Sequence, residues 1–153
     1  MNKKVNLIIG SGVLGAYLSV DLIKKKEKVI VTTRFLRKKM HNYNYLKIQK
    51  KVKFDKLDIK NKNSIQKIIY KYKPEKIFYF AGQSSITKSL KNQKETFQSH
   101  YNGTKNFLDV LKEKNLKIKF FKANSGYIFA PNKGKIDLNC KFSSNKNPYV
   151  KAQ

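Results

Sequence analysis

The segment Val5–Leu18, VNLIIGSGVLGAYL, limits the possible folds of this chain more than any other. Val5–Ile9 is a short apolar run rich in β-branched residues, the pattern of a strand buried on both faces of a parallel sheet. Leu14, Leu18 and Leu22 then recur at helical spacing, which predicts a helix over Val13–Lys25 with those leucines on its inner face. Gly10, Gly12 and Gly15 lie at the joint. Phosphate binding by a strand–turn–helix unit needs glycine at such positions. Gly10 allows the tight turn, Gly12 lets a pyrophosphate approach bare backbone, and Gly15 lets the helix pack on the strand. The helix N-terminus, with Val13 and Leu14, then lies against the phosphates. These five residues are therefore candidates for contact with a dinucleotide. Three glycines alone are a weak signal; the strand before them and the helix after them supply the required context.

The rest of the chain continues the alternation. Lys28–Thr33 reads as a second strand. No acidic residue follows it to bind a ribose 2′-hydroxyl; Thr32, Thr33 and Arg34 occupy that place, so Arg34 is the candidate for holding the 2′-phosphate of NADP, with a surface cation as the alternative. Phe35–Asn44 reads as a polar connection or a short helix. A third strand centres on Val52–Leu57 and ends at Asp58-Ile59, beside the expected adenine pocket. There Asp58 would accept from the adenine amino group and Ile59 would pack on the ring. Asp58 equally suits the cap of a helix starting near Asn61. Ile65, Ile68, Ile69 and Tyr72 mark that helix, which Pro74 ends. Lys76–Phe80 is a fourth strand opening into Ala81-Gly82-Gln83, small residues that let backbone lie against a cofactor. Glu95–Leu111 reads as one long helix offering Phe97, Tyr101, Phe107, Leu108 and Leu111 to the core, and Lys117–Ala123 as a fifth strand. The fold expected is α/β, a Rossmann-type doubly wound parallel sheet with helices on both faces.

Composition narrows the function classes. At 153 residues with 40% apolar content the chain can build one core. No stretch approaches the roughly 18 apolar residues of a membrane span. Cys140 is the single cysteine, which excludes an internal disulfide and points to the cytoplasm. The net charge of +26 suggests a polyanion partner. However, Arg34 and Arg37 are the only arginines among 35 basic residues. Evenly scattered lysine reads as compositional bias on solvated faces, not as a specific nucleic-acid site.

Four stretches in order resemble the extended short-chain dehydrogenase/reductases: LDIKNKNSIQKIIYKYKPEKIFYFAGQSSITKS, Asn102-Gly103-Thr104, ANSGYIFAP and NPYVKA. The likeness is to their nucleotide-sugar branch, represented by GDP-mannose 4,6-dehydratase. It implies a bound NADP, with NAD as the alternative, and a nucleotide-sugar substrate such as GDP-mannose. C4 of the hexose would be oxidised, water eliminated across C5 and C6, and the hydride returned at C6. Ser125 matches the hydroxyl that orients the 4-hydroxyl group, and Tyr149 the phenol that removes its proton. Relatives also pair through the helices corresponding to Glu95–Leu111 and the one beginning at Tyr149, so a homo-oligomer is expected.

The same comparison shows departures. The family's lysine four residues after the tyrosine is Gln153 here, and Lys151 points away from that face. Without a cation, a phenol of pKa about 10 is a poor base at neutral pH. The dehydratase glutamate two residues after the serine is Tyr127, the only remaining candidate for acid/base work there. His100 stands where the family has Asn or Asp and is read as a structural or exposed helix residue. The first glycine of the family's usual spacing falls at Ile9. Family members continue for about as long again, so residues 1–153 are expected to be an incomplete NAD(P)-binding domain, cut before the last strands and the substrate domain, from a longer frame or a decayed gene. Four functions are therefore open: a dehydratase-like fragment with little activity alone, an epimerase or 4-keto reductase, an inactive dinucleotide-binding remnant, and a nucleic-acid binder resting on charge alone.

Overall fold

The computed structural model describes residues 4–36, 40–82, 84–130, 134–137, 139–144 and 147–153. Five strands, β1 (Val5–Ile9), β2 (Lys28–Thr33), β3 (Lys53–Lys56), β4 (Lys76–Tyr79) and β5 (Lys119–Lys122), form one parallel sheet in the order β3-β2-β1-β4-β5. The helices are α1 (Val13–Lys24), α2 (His41–Tyr45), α3 (Lys62–Tyr72), α4 (Ile86–Lys91), α5 (Gln93–Phe97), α6 (Gly103–Glu113) and α7 (Pro148–Ala152). This is the expected doubly wound architecture, and the chain direction reverses its walk across the sheet at β1. Ligands bind at such a switch point, outside the carboxyl ends of the strands.

Strand alternation sorts the core into two layers. Leu7, Ile9, Ile30, Ile77 and Tyr79 face α3 and α6, where Ile65, Ile68, Ile69, Phe107, Val110 and Leu111 close the first layer. Ile8, Val29 and Val31 face the other way, onto Ala16 and Leu22 of α1 and onto Tyr43, Ile48 and Val52. Burial of an aliphatic side chain of this kind contributes about 1.5–3 kcal/mol, so this period-two division supplies most of the drive for the sheet. α3 is closed at both ends. The Asn61 side chain accepts from Ser64 N at 3.2 Å, and Lys73 takes a left-handed φ of 45° before Pro74.

Three sequence expectations are corrected. Asn61, not Asp58, caps α3; the Asp58 carboxylate instead accepts from Lys60 N at 3.0 Å. Leu14 is 62% exposed, and α1 turns Gly15, Ala16, Ser19 and Leu22 to the sheet. The helix runs so close to β1 that a Cβ at Gly15 would stand 2.6 Å from the Gly10 carbonyl, which leaves room only for glycine at that position. The segment 93–113 is also not one regular helix: a π turn at Gln98–Asn102 joins α5 to α6. Thr96, Ser99, His100 and Gly103 face inward, while Phe97, Tyr101 and Leu108 are 41%, 50% and 48% exposed. Contact with β4 decides this. A Cβ at Gly103 would lie 2.2 Å from the Tyr79 hydroxyl, which donates to the Ser99 carbonyl at 2.5 Å.

Candidate functional site

At the carboxyl edge of the sheet, a cleft of about 300 Å³ opens between the β1–α1 turn and the loops after β2, β3 and β4. Its floor is the glycine turn. Gly10 has φ +106°, a conformation that side-chain-bearing residues rarely adopt, and a Cβ there would stand 3.1 Å from the backbone of Phe80 and Ala81. Gly12 precedes α1 with nothing within 4 Å of where a Cβ would stand, so its backbone faces open cleft. Gly15 is buried against β1 and serves packing, as expected. Val13 and Leu14 are exposed on the first turn of α1 and do not line the cleft.

Arg34, Leu57, Ile59, Ala81 and Gly82 all line the cleft, joined by Glu95 and Ser99 from the α5 side. Ile59 is buried at the wall and gives it an apolar surface. Asp58 is exposed between Leu57 and Ile59 and stays available beside that wall. Gln83 lies outside the described residues. Arg34 Nη1 donates to Glu95 Oε1 at 2.5 Å, and Lys60 Nζ donates to Glu95 Oε2 at 2.9 Å. Burial acts to raise the Glu95 carboxyl, but the Lys60 and Arg34 hydrogen bonds outweigh it and hold the group below the usual glutamate range.

The second half of the site gathers beyond β4 and β5. Ser125 starts a single turn at Gly126–Ile128, its hydroxyl accepting from Tyr127 N at 3.2 Å. The Tyr127 side chain is 66% exposed and lies outside the cleft lining. α7 packs against α5 and α4 and touches the Ser125 turn, which carries Tyr149 to the same end of the sheet. Asn147 caps α7, accepting from Tyr149 N at 2.8 Å.

His100 belongs to this half. It is 8% exposed, and its ring meets the Tyr149 ring edge-on with centroids 5.7 Å apart. It also fills the space a side chain at Gly82 would need, since a Cβ there would stand 2.2 Å from His100 Cε1. The smallness of Gly82 thus accommodates a neighbouring imidazole as well as the cleft. Of the two expectations for His100, structural or exposed, the structure gives the structural one: the π turn at Gln98–Asn102 turns the ring inward, against Tyr149 and Gly82.

No cation stands at Gln153, but one approaches from the sheet. Lys122, the last residue of β5, is half-buried and donates to the Gln153 carbonyl and to Asn124 Oδ1. Its burial lowers its pKa. The sequence expectations missed Glu95, Ser99 and Lys122. Spacing could have flagged Ser99 and His100, which share a helical face with Gly103; the pairing of Glu95 with Arg34 across 61 residues has no local signal.

A family model described as GDP-mannose 4,6 dehydratase matches residues 7–151. The chain belongs to the NAD-dependent epimerase/dehydratase family of extended short-chain dehydrogenase/reductases. CDP-paratose 2-epimerase of Salmonella typhi is 32% identical over 107 residues, covering 69% of this chain and 32% of the relative. UDP-glucose 4-epimerase of Mycoplasma genitalium is 25% identical over 128 residues, covering 82% and 37%. The chain thus spans about a third of the length of these curated relatives. Among solved structures, the UDP-glucose 4-epimerase of Stenotrophomonas maltophila with bound NAD and formylated UDP-arabinopyranose superposes with a TM-score of 0.82. Its sequence identity is 15%, with 99% of this chain and 45% of that one covered. That likeness is one of fold.

Proposed function

We propose that this chain is the dinucleotide-binding half of a nucleotide-sugar epimerase/dehydratase, and that the glycine turn below the β1 switch point is where the cofactor sits. One observation carries the reading. Gly10 makes the tight turn with φ +106° and Gly12 leaves open space at the N-terminus of α1, in a cleft whose walls supply an apolar face at Leu57 and Ile59 and charge at Arg34 and Glu95. The free amides of the first turn of α1 take the pyrophosphate. Ile59 packs on the adenine and Asp58 accepts from its amino group. Ala81 and Gly82 run beneath the nicotinamide half.

When bound, the dinucleotide supplies the hydride acceptor. Ser125 orients the sugar 4-hydroxyl by hydrogen bonding, and Tyr149 takes its proton. A phenol at neutral pH performs that task slowly without a neighbouring cation, and Gln153 provides none. Tyr127 stands where elimination needs a carboxylate, so this site suits oxidation and return of hydride at C4, as in an epimerase or 4-keto reductase. The second reading, dehydration of GDP-mannose, rests on the family model over residues 7–151.

The test has two stages. Calorimetric titration with NAD and with NADP is expected to show binding of a dinucleotide, and absence of both overturns the assignment. Incubation with GDP-mannose or UDP-glucose, followed by chromatographic separation of the sugar nucleotides and mass spectrometry, is expected to give little product. Loss of water would support the dehydratase reading, and an epimer of unchanged mass the epimerase. Phe97 and Tyr101, with ring centroids 5.3 Å apart, and Leu108 form the outward face through which a second copy would pair. Sedimentation analysis checks that pairing.

A further inference from the structure

Three charged side chains from separate elements meet at the outer wall of the cleft. Arg34 follows β2, Lys60 follows β3, and Glu95 comes from α5 with one carboxylate oxygen on each cation. Together they strap α5 over the carboxyl ends of β2 and β3, where the adenosine ribose of a dinucleotide would lie. Arg34 and Glu95 both line the cleft. The family pattern of an acidic residue directly after β2 is absent, which is why the sequence assigned Arg34 to a 2′-phosphate. The structure brings an acid to that place from another part of the chain.

We infer that Glu95 selects the cofactor: it replaces the acid missing after β2, accepts from the adenosine ribose hydroxyls and repels a 2′-phosphate, so that the site takes NAD in preference to NADP. This rests on the dinucleotide reading above. A carboxylate has about four acceptor positions, and the two contacts from Arg34 and Lys60 leave others for a ribose hydroxyl. A phosphate brought to Arg34 could use its other N–H donors, but it would sit as a dianion beside the Glu95 carboxylate held 2.5 Å from that guanidinium. Arg34 and Lys60 are accordingly positioning residues for Glu95. Their exposure, 50% and 38%, makes the strap sensitive to salt.

Binding of NAD and of NADP is measured by calorimetry for the wild-type chain, Glu95→Gln and Arg34→Ala, at low and high salt. The wild type is expected to bind NAD about tenfold more tightly than NADP. Glu95→Gln is expected to weaken NAD, tighten NADP, and so move the ratio by about tenfold toward NADP. Arg34→Ala is expected to weaken NAD through the loosened Glu95, with no selective loss of NADP. A wild-type preference for NADP, a ratio unmoved by Glu95→Gln, or a selective loss of NADP in Arg34→Ala would overturn the inference while leaving the dinucleotide reading intact. Binding of neither cofactor to the wild type would overturn the dinucleotide reading and this inference with it. Melting curves of the variants check that they remain folded, as expected for partly exposed side chains.

Discussion

The two ends of the candidate site are built from different materials. The end proposed for the adenosine, beside β1, β2 and β3, is made largely of backbone, a glycine turn and the N-terminus of α1, with buried apolar residues at Leu57 and Ile59. The end proposed for the reaction, beyond β4 and β5, depends on individual side chains: Ser125 and Tyr149, with the His100 ring against Tyr149, and Tyr127 and Gln153 at the two places where the resemblance calls for charge. Backbone geometry is enforced by the packing of the whole sheet and survives substitution of surface residues. A proton-transfer set has no such protection, because one neutral side chain in place of a lysine removes the field on which a phenol depends. A chain can therefore retain its binding end while losing its reaction end.

The largest effect that could break this contrast is expected at Gly15. A side chain there meets the Gly10 carbonyl at 2.6 Å and Ile8 Cγ2 at 3.0 Å. Gly15→Val should push α1 off β1, cost about 3 kcal/mol or more, and abolish dinucleotide binding. Urea denaturation and calorimetry measure the two quantities. A stable variant that still binds would show that the cradle does not depend on this contact.

How much of this was legible in the sequence follows the same division. β1, β2 and the glycine turn were readable because each is specified within a few residues: a β-branched run, an open joint, a helical period. Lys28–Thr33 was placed to the residue. The inner face of α1 was misassigned at Leu14, which fits the period but is exposed, whereas Leu18 and Leu22 pack on the core and the closeness of the helix to β1 selected glycine, alanine and serine. The break between α5 and α6 was hidden for a related reason. Large apolar side chains lie outward and small polar ones inward, the reverse of the usual hydrophobic rule, because Tyr79 and the site fill the space beneath. Glu95 was unreadable because its partners Arg34 and Lys60 lie 61 and 35 residues away, and the contact of Lys122 with Gln153 spans 31 residues.

Gly103→Ala tests whether that close approach holds the reaction end in place. A methyl group 2.2 Å from the Tyr79 hydroxyl must displace either the ring or α6, which should cost about 1–3 kcal/mol and loosen the π turn bearing Ser99 and His100. Hydrogen exchange at residues 98–104 would reveal the loosening. If protection there is unchanged while overall stability falls, the turn is held by something other than this contact. At the chemistry itself, Gln153→Lys restores a cation one helical turn from Tyr149 and should raise C4 oxidation of a nucleotide sugar by about tenfold, well within the range for acid–base catalysis. An unchanged rate would mean that Lys122, reaching the Gln153 carbonyl from β5, already supplies the field.

The smallest expected effect concerns the outer support of the adenosine end. Asp55 of β3, the strand at that edge of the sheet, accepts from Lys71 Nζ and from the Tyr72 hydroxyl, each at 2.6 Å, tying the strand to α3. Burial acts to raise the Asp55 carboxyl, but the Lys71 and Tyr72 hydrogen bonds and the Lys71 charge outweigh it and leave it below the ordinary aspartate range. A carboxyl depressed in the folded state contributes stability that is complete above its unfolded value of about 3.9 and lost as pH falls through the lower folded value. Asp55→Asn should therefore cost about 0.5–1 kcal/mol at pH 7, a figure discounted for solvent screening. The difference from wild type should vanish in acid, below both values. Denaturation of the two proteins across pH 2–7 measures this. A difference independent of pH would assign the role of Asp55 to packing, and a loss of NAD affinity matching the loss of stability would tie the adenosine end to the strand that walls it.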